Sequence, residues 1–167
     1  NVPIRRLKQK VAAGVDFIQT QLIFDVARFQ RFMHLVCQEG LDQEVFILAG
    51  VPVVTSAGAL RALPNIPGVH VPAEVMAHLS QASDIQAAGL ALARQIIREL
   101  AATPGVAGVH LMLFGPDHAV LPDLVGDLPA RRRAWPQGAP EYSPPHGPGR
   151  IDETICGKEC APCPSKA

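Results

Sequence analysis

Gln21 is the side chain whose type and place argue most directly for chemistry. It lies in residues 15–25, VDFIQTQLIFD, a run without Gly or Pro in which Gln19, Thr20 and Gln21 interrupt the apolar residues before it ends in Asp25. Such a run reads as a strand buried on both faces that leads into a helix. An amide near the C-terminal end of a buried strand is costly unless paired. In parallel α/β architectures that end of the strand is where ligands bind, so Gln21 is a candidate ligand contact. The alternative is that its amide bonds only neighbouring backbone.

A second constellation is Cys156, Cys160 and Cys163, spaced x3 and x2. Thiolates at such spacing suit zinc, but a tetrahedral site needs a fourth ligand, and structural sites usually pair two couplets. His146 or an upstream residue is the remaining candidate, so the pattern falls short of a zinc signature and no metal is assigned. His34, His70, His78, His110 and His118 form no H-x-x-H, H-E-x-x-H or Cys/His pairing. There is no G-x-S-x-G to support a serine hydrolase, and no G-x-G-x-x-G follows a strand as a dinucleotide-binding unit would require.

The composition narrows the class. The chain has 167 residues, 48% hydrophobic and 18% charged, with a formal net charge of zero. That length supports a domain with a real core, and the charge balance argues against a nucleic-acid-binding surface. No apolar run approaches the roughly 20 residues of a membrane span. The first residues, NVPIRRLKQK, carry no Met and no apolar h-region. No signal peptide is visible there, and a piece of a longer protein is expected. Cys37 stands alone in a helical apolar pattern, as a packed thiol in a reducing compartment would, and the protein is placed in the cytoplasm.

The elements that must position Gln21 alternate along the chain. A short helix over 4–13 ends at Gly14. After the strand, Asp25 is a natural N-cap for a helix over 26–39, whose Phe29, Phe32, Met33 and Val36 fall at helical spacing and which Gly40 closes. Residues 45–48 read as a second short buried strand opening into the loop AGVPVVTSAG. A short helix over 57–63 follows, and PNIPG then breaks the chain. Pro72 suits the first turn of a helix running to about Gln81. Ser83 or Asp84 caps a long helix over 85–102, and residues 109–114 form a third buried strand. Gly115 and Pro116 then turn the chain into a short helix over 118–124. Alternating strands and helices with short turns predict an α/β domain with a parallel sheet, doubly wound or barrel.

From about Pro129 the pattern changes. Residues 131–133 are arginines, and 7 of the 16 prolines fall between Pro136 and Pro164. Without apolar periodicity this stretch cannot bury enough surface to offset its ordering entropy, so residues 129–167 are expected to be a disordered tail to a domain of residues 1–128.

The run LKQKVAAGVDFIQTQLIFDVARFQRF resembles the later half of the methylenetetrahydrofolate reductase family, flavoenzymes of one-carbon metabolism. Thr20, Gln21, Phe24 and Asp25 match the family's T-Q-x-x-F-D strand. ILAGVPVV at residues 47–54 resembles its next strand and loop, and VPAEVMAHL and GVHLMLFG follow in the family's order, from about residue 5 to 125. The resemblance implies the C-terminal part of a (β/α)8 TIM barrel with FAD at the C-terminal face. Residues 17–24, 45–48 and 109–114 would be its last three strands. Five strands and the acidic general acid would precede Asn1, so no catalytic residue is assigned here and the piece alone should be inactive.

By the same resemblance Lys10 is the flavin-contacting lysine, an ammonium for the FAD phosphates. Arg6, one turn earlier, would add to that anion site, and Gln21 is the folate-contacting glutamine. An electron donor would reduce FAD, and hydride would then pass to 5,10-methylenetetrahydrofolate, giving 5-methyltetrahydrofolate. Three positions depart from the family's best-known members. Leu113, Phe114, Gly115 and Pro116 replace a T-L-N-R motif that supplies a substrate arginine. Ala57 to Leu60 stand where a glutamine follows the seventh strand. The H-x-M-x-x-G form at His110, Met112 and Gly115 resembles the branch found in acetogens. The donor is accordingly NAD(P)H, or a ferredoxin or partner subunit, and a homo- or hetero-oligomer is expected. The alternatives are a non-catalytic half-barrel that assembles or binds, and a barrel lyase or transferase with another cofactor.

Overall fold

The computed structural model describes residues 2–114 and 117–126. Gly115, Pro116, the domain boundary near residue 128 and the Pro- and Cys-rich stretch from residue 129 lie outside the described residues.

Helices begin where short polar side chains take up the first free backbone N–H groups. Helix α1 (Val2–Ala12) precedes strand β1 (Phe17–Leu22), and helix α2 (Val26–Gln38) follows it. The Asp25 carboxylate accepts from the Arg28 N–H at 2.8 Å and starts α2. Strand β2 (Phe46–Val54) leads into helix α3 (Ala57–Ala62), whose cap is Ser56, accepting from the Ala59 N–H at 3.1 Å. Helix α4 (Ala73–Gln81) starts after Pro72. Helix α5 (Ile85–Ala101) is capped by Asp84, which accepts from the Ala87 N–H at 2.9 Å and so takes the role left open between it and Ser83. Strand β3 (Val106–Phe114), a 3-10 turn (His118–Val120) and helix α6 (Leu121–Gly126) complete the order. The turns at Gly14 and Gly40 have φ of 85° and 69°, as their place at helix ends predicts.

The three strands are parallel in the order β1-β2-β3. Ile47, Ala49, Val51 and Val53 of the central strand are almost fully buried and pack in one cluster with α2 and α5 residues such as Met33, Val36, Ile97 and Leu100. The opposite side gathers Leu22, Phe24, Val54, Leu60, Leu63 and Leu79, with Met112 and Phe114 packed against them. Alternating residues of one strand thus feed two cores, as the two-residue period of a strand requires.

Three expectations change. β2 runs to Val54 instead of ending at Leu48, because the apparent breakers Gly50 and Pro52 both have places in the ladder. The Gly50 carbonyl accepts from Ile23 N–H at 2.9 Å, so its backbone faces β1. Pro52, two residues on, faces the same side beyond the end of β1, and its missing N–H therefore interrupts no pairing. β3 begins at Val106, three residues earlier than the sequence suggested, with Gly108 inside the strand opposite Leu48. β1 is buried on one side only: Phe17 is 54% exposed, and Gln19 and Gln21 are also exposed.

Close helix–sheet approach depends on Gly89 in α5, where an added Cβ would overlap the Val54 carbonyl oxygen. Gly89→Ala is therefore expected to destabilise the fold by about 1–3 kcal/mol or more, since α5 must move off the end of β2. The denaturant midpoint of the full-length protein checks this. Among the described residues no helix is long and apolar enough to cross a membrane.

Candidate functional site

The C-terminal end of β1 is not a regular strand. Phe17, Ile18 and Gln19 pair in step with Phe46, Ile47 and Leu48, but the next pair is Leu22 with Gly50. One extra residue has entered β1, a bulge of the kind that redirects side chains beside functional sites. At the bulge the Thr20 hydroxyl accepts from the Gly50 N–H at 2.9 Å and donates to the Gln21 carbonyl at 3.0 Å. The carbonyls of Gln21 and Thr20 crowd Gly50 so closely that a Cβ there would lie 2.7 Å and 3.0 Å from their oxygens. Gly50, which the sequence placed in a loop, is what the bulge rests on.

Beyond the bulge, the Gln21 side chain accepts from the Leu22 N–H at 3.0 Å and donates to the Pro67 carbonyl at 3.2 Å. Its amide thus joins the end of β1 to the loop after α3. These are the backbone bonds of the structural alternative, but they use half of its capacity. One N–H and one oxygen lone pair remain on an exposed group. Thr20 and Gln21 line a cavity of about 380 Å³ together with Arg28, Phe29, Phe32 and His70. A larger cavity of about 640 Å³, where Glu74, His78, Gln95 and Glu99 meet, lies between α4, α5 and the start of α2 and does not include Gln21. His70 lines both.

The two basic candidates lie apart from Gln21. Arg6 and Lys10 are exposed, one turn from each other on α1, and neither lines the two cavities. Lys10 is in the last turn of α1, whereas Gln21 is near the end of β1, and in a helix-to-parallel-strand unit these ends point opposite ways. Among the described residues neither Arg6 nor Lys10 has an ion-pair partner, while Lys8 between them pairs with Glu39. Two unneutralised cations one turn apart match a pyrophosphate such as that of FAD in charge, but Lys10 stands at the end of its helix away from the face that carries Gln21.

Sequence reasoning passed over His110. Its Nδ1 is buried and has no hydrogen-bond partner among the described residues. It stands opposite Gly50 on β3, two residues before Met112. The available signal was a polar ring in the middle of an apolar strand. No group of three or more His, Cys, Asp or Glu among the described residues could hold a metal, and Cys156, Cys160 and Cys163 lie outside them. In place of the glutamine expected after the seventh strand, residues 57–60 form the first turn of α3, with Leu60 buried.

Successive parallel strand–helix units, with a polar bulge at a strand's C-terminal end, define part of a (β/α) barrel with its candidate site at the usual face. The family model for methylenetetrahydrofolate reductase matches residues 1–122, and the chain belongs to that family. It is similar to the probable methylenetetrahydrofolate reductase (NADH) of Oryza sativa subsp. japonica, 32% identical over 120 residues, covering 69% of this chain and 20% of that protein. It is also similar to methylenetetrahydrofolate reductase (NADH) 1 of Arabidopsis thaliana, 30% identical over 120 residues with the same coverage. The chain therefore spans about a fifth of the length of these relatives.

Proposed function

We propose that this chain is the C-terminal barrel segment of a flavin-dependent enzyme that reduces 5,10-methylenetetrahydrofolate to 5-methyltetrahydrofolate. The observation that carries the reading is the Gln21 amide: it is anchored at the strand's C-terminal end yet keeps a donor and an acceptor in reserve, within a chain of this family. Gln21 meets the pterin edge, which offers donors and acceptors in complementary order. Arg6 and Lys10 hold the FAD phosphates as positive charges. FAD, when bound, supplies hydride chemistry at the methylene carbon. The chain's own residues bind and orient, and the proton donor belongs to another part of the enzyme. The reductant is of the NAD(P)H type or a partner redox protein, and the enzyme works in the cytoplasm.

The full-length protein should show flavin absorption bands, and methylenetetrahydrofolate should reoxidise its reduced flavin under anaerobic conditions. A colourless protein, or a reduced flavin indifferent to the folate, rules the reading out in favour of a binding subunit or another cofactor. Lys10→Ala should release FAD more readily on dilution, with about a several-fold rise in the flavin dissociation constant. A single partly exposed charge contact of about 0.5–1 kcal/mol accounts for that size of change. Folate kinetics at saturating FAD should be nearly unchanged.

A further inference from the structure

Thr20 stands beside the candidate substrate contact but lacks a role in it. Its single hydroxyl makes two bonds at once, accepting from the Gly50 N–H of the central strand at 2.9 Å and donating to the Gln21 carbonyl at 3.0 Å. In an unbulged ladder a β1 carbonyl would receive the Gly50 N–H. Here the extra residue displaces those carbonyls, and the hydroxyl fills their place. The same two carbonyls press on Gly50, leaving no room for a side chain. The backbone of Gln21 is thereby fixed from both sides, by the hydroxyl bridge and by contact with Gly50. Its side chain then closes a short arc between the Leu22 N–H and the Pro67 carbonyl.

We infer that Thr20 is a positioning residue for Gln21: its hydroxyl, locked onto Gly50 in the β1 bulge, sets the direction in which the Gln21 amide meets the substrate. The inference rests on the reading of Gln21 as a folate contact. Thr20 acts through Gln21 and touches no substrate itself. A β-branched residue suits the strand in any case, but shape alone does not account for a hydroxyl with both a donor and an acceptor partner. Valine keeps the shape and loses both bonds, while serine keeps both bonds and loses only the methyl group.

The test is a double-mutant cycle in the full-length enzyme with Thr20→Val, Gln21→Ala and the pair, and with Thr20→Ser as the rescue variant. The measured quantities are the rate of reduced-flavin reoxidation against methylenetetrahydrofolate concentration, and flavin reduction by the donor as the control. Thr20→Val is expected to lower kcat/KM for the folate roughly tenfold, within the loss that a misplacement of about 1 Å can cause. Thr20→Ser should stay within about twofold of the parent. In the Gln21→Ala background, Thr20→Val should change the folate step by less than about twofold, because the group it orients is gone. If Thr20→Val does not yield folded protein, Thr20→Ala takes its place in the cycle. Equal losses from Thr20→Val in both backgrounds, or no rescue by serine, overturn the positioning role while leaving Gln21 as a contact. A Gln21→Ala enzyme with unaltered folate kinetics removes the contact itself, and the inference with it.

Discussion

Gln21→Ala in the full-length enzyme is expected to lower kcat/KM for methylenetetrahydrofolate by roughly 10–100-fold while leaving bound FAD near the parent level. Alanine removes the donor and the acceptor that remain after the Leu22 and Pro67 bonds are made. Each neutral hydrogen bond contributes about 0.5–1.5 kcal/mol net, and leaving a buried pterin group unpaired costs about 1–3 kcal/mol. Two such losses correspond to the stated range. The Gln21 side chain is exposed, so the protein should lose no more than about 1–3 kcal/mol, the cost of leaving the part-buried Leu22 N–H without its partner. Stopped-flow reoxidation of the reduced flavin by the folate, beside a thermal melt, separates the two consequences. A lowered melting temperature with normal folate kinetics means that the bonds to Leu22 and Pro67 are the glutamine's whole purpose.

Much of the frame was legible because local rules decided it. Asp25 accepts the N–H three residues on, as its place ahead of an apolar helical pattern predicts. Asp84 does the same, settling a choice that the sequence left open with Ser83; the Ser56 cap was not read from the sequence. The apolar spacing of Phe29, Met33 and Val36 likewise fixes which side of α2 is buried. The strands were harder, because their limits are set by neighbours far along the chain. Pro52 is tolerable only because β1 has ended beside it, and Gly50 is required only because a bulge lies over it. Neither condition can be seen within a window around residue 50.

The candidate site divides along the same line. That an amide near the end of a strand needs partners was legible at Gln21, but which partners was not, since Pro67 lies 46 residues away. Thr20 looked like an interruption of an apolar run, and its contact with Gly50 spans 30 residues. His110 was dismissed for want of a ligand pattern, although a buried ring nitrogen needs a partner whatever its motif. Pattern rules find metal sites and caps; they do not find single polar groups whose partners come from other strands.

Residues 1–128 expressed alone are expected to lack a cooperative fold. Among the described residues β1 and β3 each pair with β2 and nothing else, so both edges of the sheet keep backbone groups without strand partners. Parallel sheets are stable when both faces are covered. Here the α2 and α5 side is dense, but on the other face the second core reaches only the C-terminal end of the strands, Phe17 and Gln19 stay open, and every residue of β3 is only half-buried. The packed side secures secondary structure and a collapsed state. The open face and edges deny it a unique arrangement, the condition in which far-UV signal persists while side-chain packing and amide dispersion are lost. The piece should bind a hydrophobic dye, melt over a broad range and associate as concentration rises. On the proposed reading, adding the rest of the barrel by fusion or co-expression should restore a sharp transition, because further strand–helix units would cover that face and pair both edges. A sharp melt and well-dispersed amide resonances from residues 1–128 alone would instead make this an autonomous domain, and the half-barrel binding subunit would become the better account of the chain.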